Sequence, residues 1–138
     1  MARNLLGGLV GIILGMLTVS FGERFSHRYY LPPANIDIED KEALAEMITS
    51  MPTSALAIIL LAHFLGAFVA AFVASKLAGK NKFFLGLVAG AVILIGTITK
   101  LFLIPHPIYI SILDVFLTLV GLYLGAKLAS PSEVDFDL

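Results

Sequence analysis

Four long apolar runs divide the chain, and its polar residues collect where those runs end. The runs cover about 5–22, 52–76, 83–103 and 107–128. At about 1.5 Å rise per residue, a helix of this length crosses a hydrocarbon core of about 30 Å. The pattern predicts an all-α polytopic membrane protein, a four-transmembrane-helix bundle that forms a single integral membrane domain over 1–138.

A fifth, shorter element is predicted between the first two runs, at about 38–51. Its apolar residues recur at helical spacing and its acidic residues lie elsewhere on the helix, which is typical of an amphipathic helix at a membrane interface or on the bundle. Asp37 is the expected N-cap. The last segment, 130–138, is acidic, and we expect it to be poorly ordered.

Composition supports the membrane assignment and excludes several functions. Hydrophobic residues make up 59% of the chain, and soluble domains contain about 45–50% apolar residues. The net charge of −1 provides no basic surface for nucleic acid. The absence of cysteine excludes disulfides, thiolate metal sites and cysteine nucleophiles.

Lysines indicate the orientation of the spans. The short turn between the second and third runs carries Lys76, Lys80 and Lys82, and each terminus has a basic residue nearby. Short cytoplasmic loops are enriched in lysine and arginine. We therefore expect a multi-pass protein of the cell (inner) membrane with both termini in the cytoplasm and the amphipathic helix on the outer side.

Two stretches of similar sequence suggest that the bundle is built from two helical hairpins. ASKLAG at the end of the second run matches GAKLAS at the end of the fourth, an offset of 51 residues that aligns His63 with Asp114. The hypothesis is a parallel duplication, in which both hairpins run in the same sense. Apolar helices also resemble one another by chance, so independent hairpins are the alternative.

Small residues recur at steps of three or four within the apolar runs. Such stripes allow helix backbones to approach closely in lipid, where packing drives association. The predicted helix-packing positions are Gly7, Gly11, Gly15, Gly66, Ala70, Gly86, Gly90, Gly121 and Gly125.

Two titratable residues, His63 and Asp114, lie deep within the apolar runs. His63 and Asp114 each lie 13 residues before the lysine that ends their run, on faces that also carry small residues. A charge inside the bilayer is costly, by about 2.5–3.5 kcal/mol for Asp on insertion scales, and persists mainly where it pairs or acts. We predict an intramembrane polar site at His63 and Asp114, supported by Glu23, Thr97, Lys100 and Thr118.

The same residues admit a functional and a structural interpretation. An Asp–His pair in a low dielectric has coupled protonation, which suits a proton relay or a cation site. The alternative is an interhelical hydrogen bond or ion pair that only fixes helix register. His27, His63 and His106 lack the spacing of metal ligands, so no metal and no cofactor are predicted.

The function best supported by the sequence is a small transporter or channel with a proton-linked or cation-linked His/Asp site in the bundle. The alternative is a non-catalytic accessory or assembly subunit of a larger membrane complex, motivated by the small-residue stripes and the amphipathic helix. No nucleophile elbow, phosphate loop or dinucleotide motif occurs, and we expect no enzymatic activity. A membrane enzyme with its chemistry at the outer face is the third and last-ranked alternative. The expected partners are the lipid bilayer and either further copies of the chain or other subunits.

Overall fold

Five helices make up the structure, a computed structural model that describes residues 2–31, 34–37 and 39–130. They are α1 (Ala2–Ser26), α2 (Lys41–Ser50), α3 (Thr53–Leu77), α4 (Lys82–Leu103) and α5 (Ile108–Ala129). No strand occurs within the described ranges. The fold is therefore all-helical, as predicted, and the acidic tail expected after Ser130 lies outside the described residues.

Four of the helices, α1, α3, α4 and α5, are long and apolar enough to cross a membrane. At about 1.5 Å per residue, even the shortest exceeds about 30 Å. Many of their large apolar side chains face outward, such as Phe21, Phe102 and Ile108, each at least 74% exposed. Lipid tails are the natural surroundings for such a surface, so the chain has the form of a small multi-pass membrane protein.

Helix α3 is the centre of the bundle. It packs against α1, α4 and α5, while α4 also contacts α1 and α5. The packed faces of α3 consist of small residues, and Ala67, Ala70, Ala71 and Ala74 are fully buried. Small side chains leave room for three neighbouring helices to lie close to one backbone.

Glycines on the surrounding helices complete these close contacts. A Cβ at Gly11 of α1 would lie 2.5 Å from the carbonyl oxygen of Ala70, and a Cβ at Gly121 of α5 would overlap the carbonyl oxygen of Phe64. In α4, a Cβ at Gly90 would overlap Leu122. All nine predicted packing positions are buried, and each of the eight glycines among them lies against a neighbouring helix.

The short helix α2 begins later than the sequence predicted. Its N-cap is Asp40, whose Oδ1 accepts hydrogen bonds from the backbone N–H groups of Glu42 and Ala43 at 3.0 and 3.1 Å. The prediction that Asp37 caps the helix is wrong, because the Asp37 carboxylate accepts instead from the N–H of Glu39 in a turn before the helix. Ile38, the predicted first residue, lies outside the described residues.

Helix α1 is longer at both ends than the predicted span of about 5–22. At its start, Arg3 Nε donates to the carbonyl oxygen of Leu77, and Asn4 Oδ1 accepts from the N–H of Gly79 at 2.8 Å. These bonds hold the N-terminus against the α3–α4 loop. We call this end of the bundle, with Lys76, Lys80, Lys82 and the C-terminus of α5, the basic end.

The helix contacts bear on the proposed duplication without deciding it. Residues His63 and Asp114, which the 51-residue offset aligns, face each other across α3 and α5. However, α3 packs against α4, whereas α5 makes no corresponding contact with α1 within the described chain. Two hairpins related by a twofold rotation would make both contacts, so the duplication remains a prediction.

The absence of native cysteine allows a direct test of topology. We expect a cysteine at Asn35 to react with a membrane-impermeant maleimide in intact cells, and a cysteine at Lys80 to react only after permeabilisation. The two sites are exposed and are separated by α3. A cysteine at Ala71, which is fully buried, is the unlabelled control. Labelling of Asn35 and Lys80 from the same side would contradict the four-span topology, and reversed labelling would contradict the cytoplasmic termini alone.

Candidate functional site

Four charged or titratable side chains from four different helices meet at the end of the bundle opposite the basic end. Glu23 lies near the end of α1, and Lys100 lies in the last turn of α4. His63 and Asp114 lie inside α3 and α5, and both are buried. These two occupy stripes of small residues, which turn toward neighbouring helices and bring both polar groups into the interior.

His63 and Asp114 form the deepest contact. The Nδ1 atom of His63 lies 2.9 Å from both carboxylate oxygens of Asp114. The side chains are 5% and 4% exposed. The sequence placed these two residues at one site, and the structure brings them into hydrogen-bond contact.

Glu23 links this pair to the surface. Its Oε1 atom lies 3.2 Å from Nε2 of His63, and the same oxygen accepts from Nζ of Lys100. The side chain of Glu23 is 30% exposed and that of Lys100 is 45% exposed. The four groups therefore form a continuous series from the buried carboxylate of Asp114 to the partly exposed amine of Lys100.

The two imidazole contacts require two protons. A neutral imidazole carries one N–H donor and one acceptor nitrogen, whereas an ionised carboxylate only accepts. Because both ring nitrogens of His63 face carboxylate oxygens, one contact lacks a proton unless His63 is doubly protonated or a carboxyl group is protonated. With an imidazolium, the two carboxylates balance His63 and Lys100, so the cluster is neutral with one exchangeable proton.

A cavity of about 230 Å³ adjoins the cluster. Its lining includes all four cluster residues, and Ser26, His27, Tyr30 and His106 contribute further polar groups. A water molecule takes about 30 Å³ in the liquid, so several waters or a small solute would fit. The buried pair therefore adjoins a cavity with both polar and apolar lining rather than being sealed in close packing.

Helix α2 and its C-cap residue form one wall of the cavity, through Met47, Ile48 and Met51. Ile48 is buried, and a contact of 3.1 Å between the hydroxyls of Tyr30 and Ser50 ties the end of the helix to the preceding linker. The sequence indicated that this face is apolar but not which surface it covers. The expected position of α2 at a membrane interface remains a prediction.

Toward the basic end, small residues fill the space beyond His63. Ala67, Ala70 and Ala71 of α3 pack with Ile93, Leu122 and Ala126 in one buried cluster. The His63–Asp114 pair thus has a cavity on one side and a tightly packed apolar core on the other. The polar groups are reached from the end that carries α2.

The two predicted supporting threonines do not contact the carboxylates. Thr118 is fully buried, and its hydroxyl donates to the backbone carbonyl oxygen of Asp114 at 2.7 Å. Thr97 is also buried, and it lines a second cavity together with His63 and Lys100. Within residues 2–31, 34–37 and 39–130, no three His, Asp or Glu side chains are arranged to hold a metal ion.

Comparison with known proteins adds no further assignment. No protein-family model, no curated protein and no solved structure matches the chain.

Proposed function

We propose that the protein is a small transporter whose His63–Asp114 centre exchanges a proton with the cavity on the α2 side. The observation that carries this proposal is the position of a buried imidazole between two carboxylates, directly beside a cavity that all four cluster residues line. A pair that only fixed helix register would need neither the cavity nor a second carboxylate.

Charge balance gives the proposed chemistry. The cluster is neutral when His63 is an imidazolium, and loss of that proton would leave one uncompensated negative charge in a low dielectric. A solute that brought charge to the cluster would have to move together with this proton or in exchange for it. Movement of a solute and movement of the proton would then be coupled through the same four side chains.

A transporter fits this arrangement better than a channel. A channel needs a continuous polar path across the bundle, whereas small apolar residues fill the space between His63 and the basic end. In the proposed cycle, the His63–Asp114 centre of the described conformation is open to the cavity. Rearrangement of the helices around α3 would instead open the centre toward the basic end. With the lysine-rich end in the cytoplasm, the cavity faces outward.

The test uses purified protein in liposomes that contain a pH-sensitive dye. Either a valinomycin-clamped potassium potential or an inward sodium gradient is applied, and the internal pH is recorded. We expect the protein to accelerate proton movement under at least one of these conditions. We expect the double variant His63→Ala, Asp114→Asn to return the rate to that of empty liposomes.

Thr99→Val is the matched control, because Thr99 is exposed on α4 and its hydroxyl bonds only within its own helix, to the carbonyl oxygen of Ile95. It should transport like the wild type. Equal rates for the double variant and the wild type, or no rate above empty liposomes under both conditions, would contradict the proposal.

The accessory-subunit alternative has lost part of its motivation. The glycine stripes that could have docked a partner lie against neighbouring helices of the same chain. Among the glycines of the four long helices, only Gly96 has open space where a Cβ would lie. No observation on the described residues favours this alternative over the transporter.

A further inference from the structure

A second opening to the same centre lies on the side of the bundle, between α1 and α4. This lateral groove has a volume of about 490 Å³ and is lined on one wall by Met16 and Val19 of α1. Val92, Ile95 and Gly96 of α4 line the other wall. Met16 and Ile95 are 57% and 64% exposed on the face that the hydrocarbon core would surround. The groove therefore opens to lipid rather than to water.

The groove begins where α1 and α4 stop touching. Toward the basic end they are close, since a Cβ at Gly15 would lie 3.2 Å from Cδ1 of Ile93. One turn further along α4, a Cβ at Gly96 would meet nothing within 4 Å. The missing side chain at Gly96 leaves this space unfilled, although each of the other glycines of α4 packs against a neighbouring helix.

The polar groups that line the groove are suited to a ligand head group that accepts hydrogen bonds. Ser20, His63, Thr97 and Lys100 line it, whereas neither Glu23 nor Asp114 does. Lys100 carries three N–H donors, and its side chain is 45% exposed. Because His63 and Lys100 line both the groove and the cavity, a ligand in the groove would touch the proton-carrying cluster from the lipid side.

We propose that the lateral groove binds a long-chain fatty acid from the bilayer, with its carboxylate at Lys100 and its acyl chain between α1 and α4. Lys100 already contacts Glu23, so it offers its remaining N–H donors rather than an uncompensated charge, and a head with a single negative charge adds the least charge to the neutral cluster. The apolar walls match one acyl chain. This inference deepens the proposed function by naming the substrate class, and its transport aspect rests on that function.

The proton of the cluster gives the binding a role in transport. A carboxylate that joined the neutral cluster would add one negative charge inside the membrane, which is costly unless a proton accompanies it. His63 lies at the junction of the groove and the cavity, so its N–H proton would pass to the carboxylate oxygen and a replacement proton from the aqueous cavity would restore the imidazolium. Fatty acid and proton would then move together.

The test is photo-crosslinking in nanodiscs of phosphatidylcholine, with a palmitate that carries a diazirine in its chain. We expect labelled peptides to contain residues of the groove walls, Met16–Ser20 and Val92–Gly96. Unlabelled palmitate should compete about tenfold better than hexadecanol or hexadecyltrimethylammonium, as a charge-assisted hydrogen bond to Lys100 implies.

Two variants distinguish the part of the groove that holds the acyl chain from the part that holds the carboxylate. Gly96→Leu should abolish labelling by occupying the groove, and its fold should persist because a Cβ at this position would meet nothing within 4 Å. Lys100→Gln should retain labelling and lose the roughly tenfold preference for palmitate over hexadecanol. Ala57→Leu, on an exposed face of α3 outside the groove, is the control that should label like the wild type.

The inference would be overturned if labelling were spread evenly over the lipid-facing helices or were unchanged by Gly96→Leu. It would also be overturned if hexadecyltrimethylammonium competed more strongly than palmitate. These results do not depend on the liposome measurement. Proton movement that requires His63 without palmitate labelling would leave the proposed function standing. Specific labelling without proton movement, measured in liposomes that also contain palmitate, would contradict the proposed function alone.

Discussion

Replacement of His63 by leucine should lower the free energy of unfolding by about 3–5 kcal/mol, the usual cost of removing one partner from a buried charge pair. The change leaves Asp114 buried, 3% exposed, with no positive partner in its side-chain contacts. Unfolding in mixed dodecyl maltoside and SDS micelles, followed by circular dichroism, measures the difference.

The informative comparison is the double variant His63→Leu, Asp114→Leu. It removes both members of the buried pair and keeps the ion pair between Glu23 and Lys100. An apolar pair of similar volume is often as stable as a buried ion pair, so the double variant should be more stable than His63→Leu. If the double variant loses as much stability as His63→Leu and Asp114→Leu lose together when each is measured alone, the two residues are not coupled.

Replacement of Gly121 by alanine should destabilise the bundle by about 1–3 kcal/mol, and replacement by leucine by more, because the close packing of α5 on α3 leaves no space for a side chain. The added Cβ would overlap the backbone carbonyl oxygen of Phe64, which cannot rotate away as a side chain can. The same unfolding titration in mixed micelles measures the change in the free energy of unfolding.

Gly96→Ala is the matched control for this prediction. It places the same methyl group on an apolar helix where nothing lies within 4 Å, and alanine also favours helix over glycine. We expect its stability to equal or exceed that of the wild type. Equal losses at Gly121 and Gly96 would mean that glycine acts in this bundle through backbone freedom rather than through close packing.

Much of the fold could be predicted because membrane spans have a strong local signal. Length and hydropathy placed α3, α4 and α5 to within one residue at each end. The start of α1 was missed because Arg3 and Asn4 are polar, and the bonds that hold them in the helix are made to the distant α3–α4 loop. Such long-range partners leave no trace in the local pattern.

The candidate site was predicted less completely, for a related reason. Small-residue stripes identify which face of a helix turns inward, and this was enough to bring His63 and Asp114 together. The position of Glu23 between His63 and Lys100 depends on how α1 is rotated against α3. The cavity depends on where α2 lies over the bundle. Spacing along the helices placed Glu23 and Lys100 at the site, but neither the contact of Glu23 with His63 nor the cavity follows from a period or a spacing.

The central position of α3 has a consequence for how the chain is made. Helices leave the ribosome in order, so α1 enters the bilayer before α3, the helix that its glycines fit. Asp114 arrives last, when Glu23, His63 and Lys100 have already been synthesised. Its carboxylate can be inserted next to a waiting imidazole rather than alone in lipid. A nascent chain released before α5 would therefore keep Nδ1 of His63 in the membrane without its carboxylate partner.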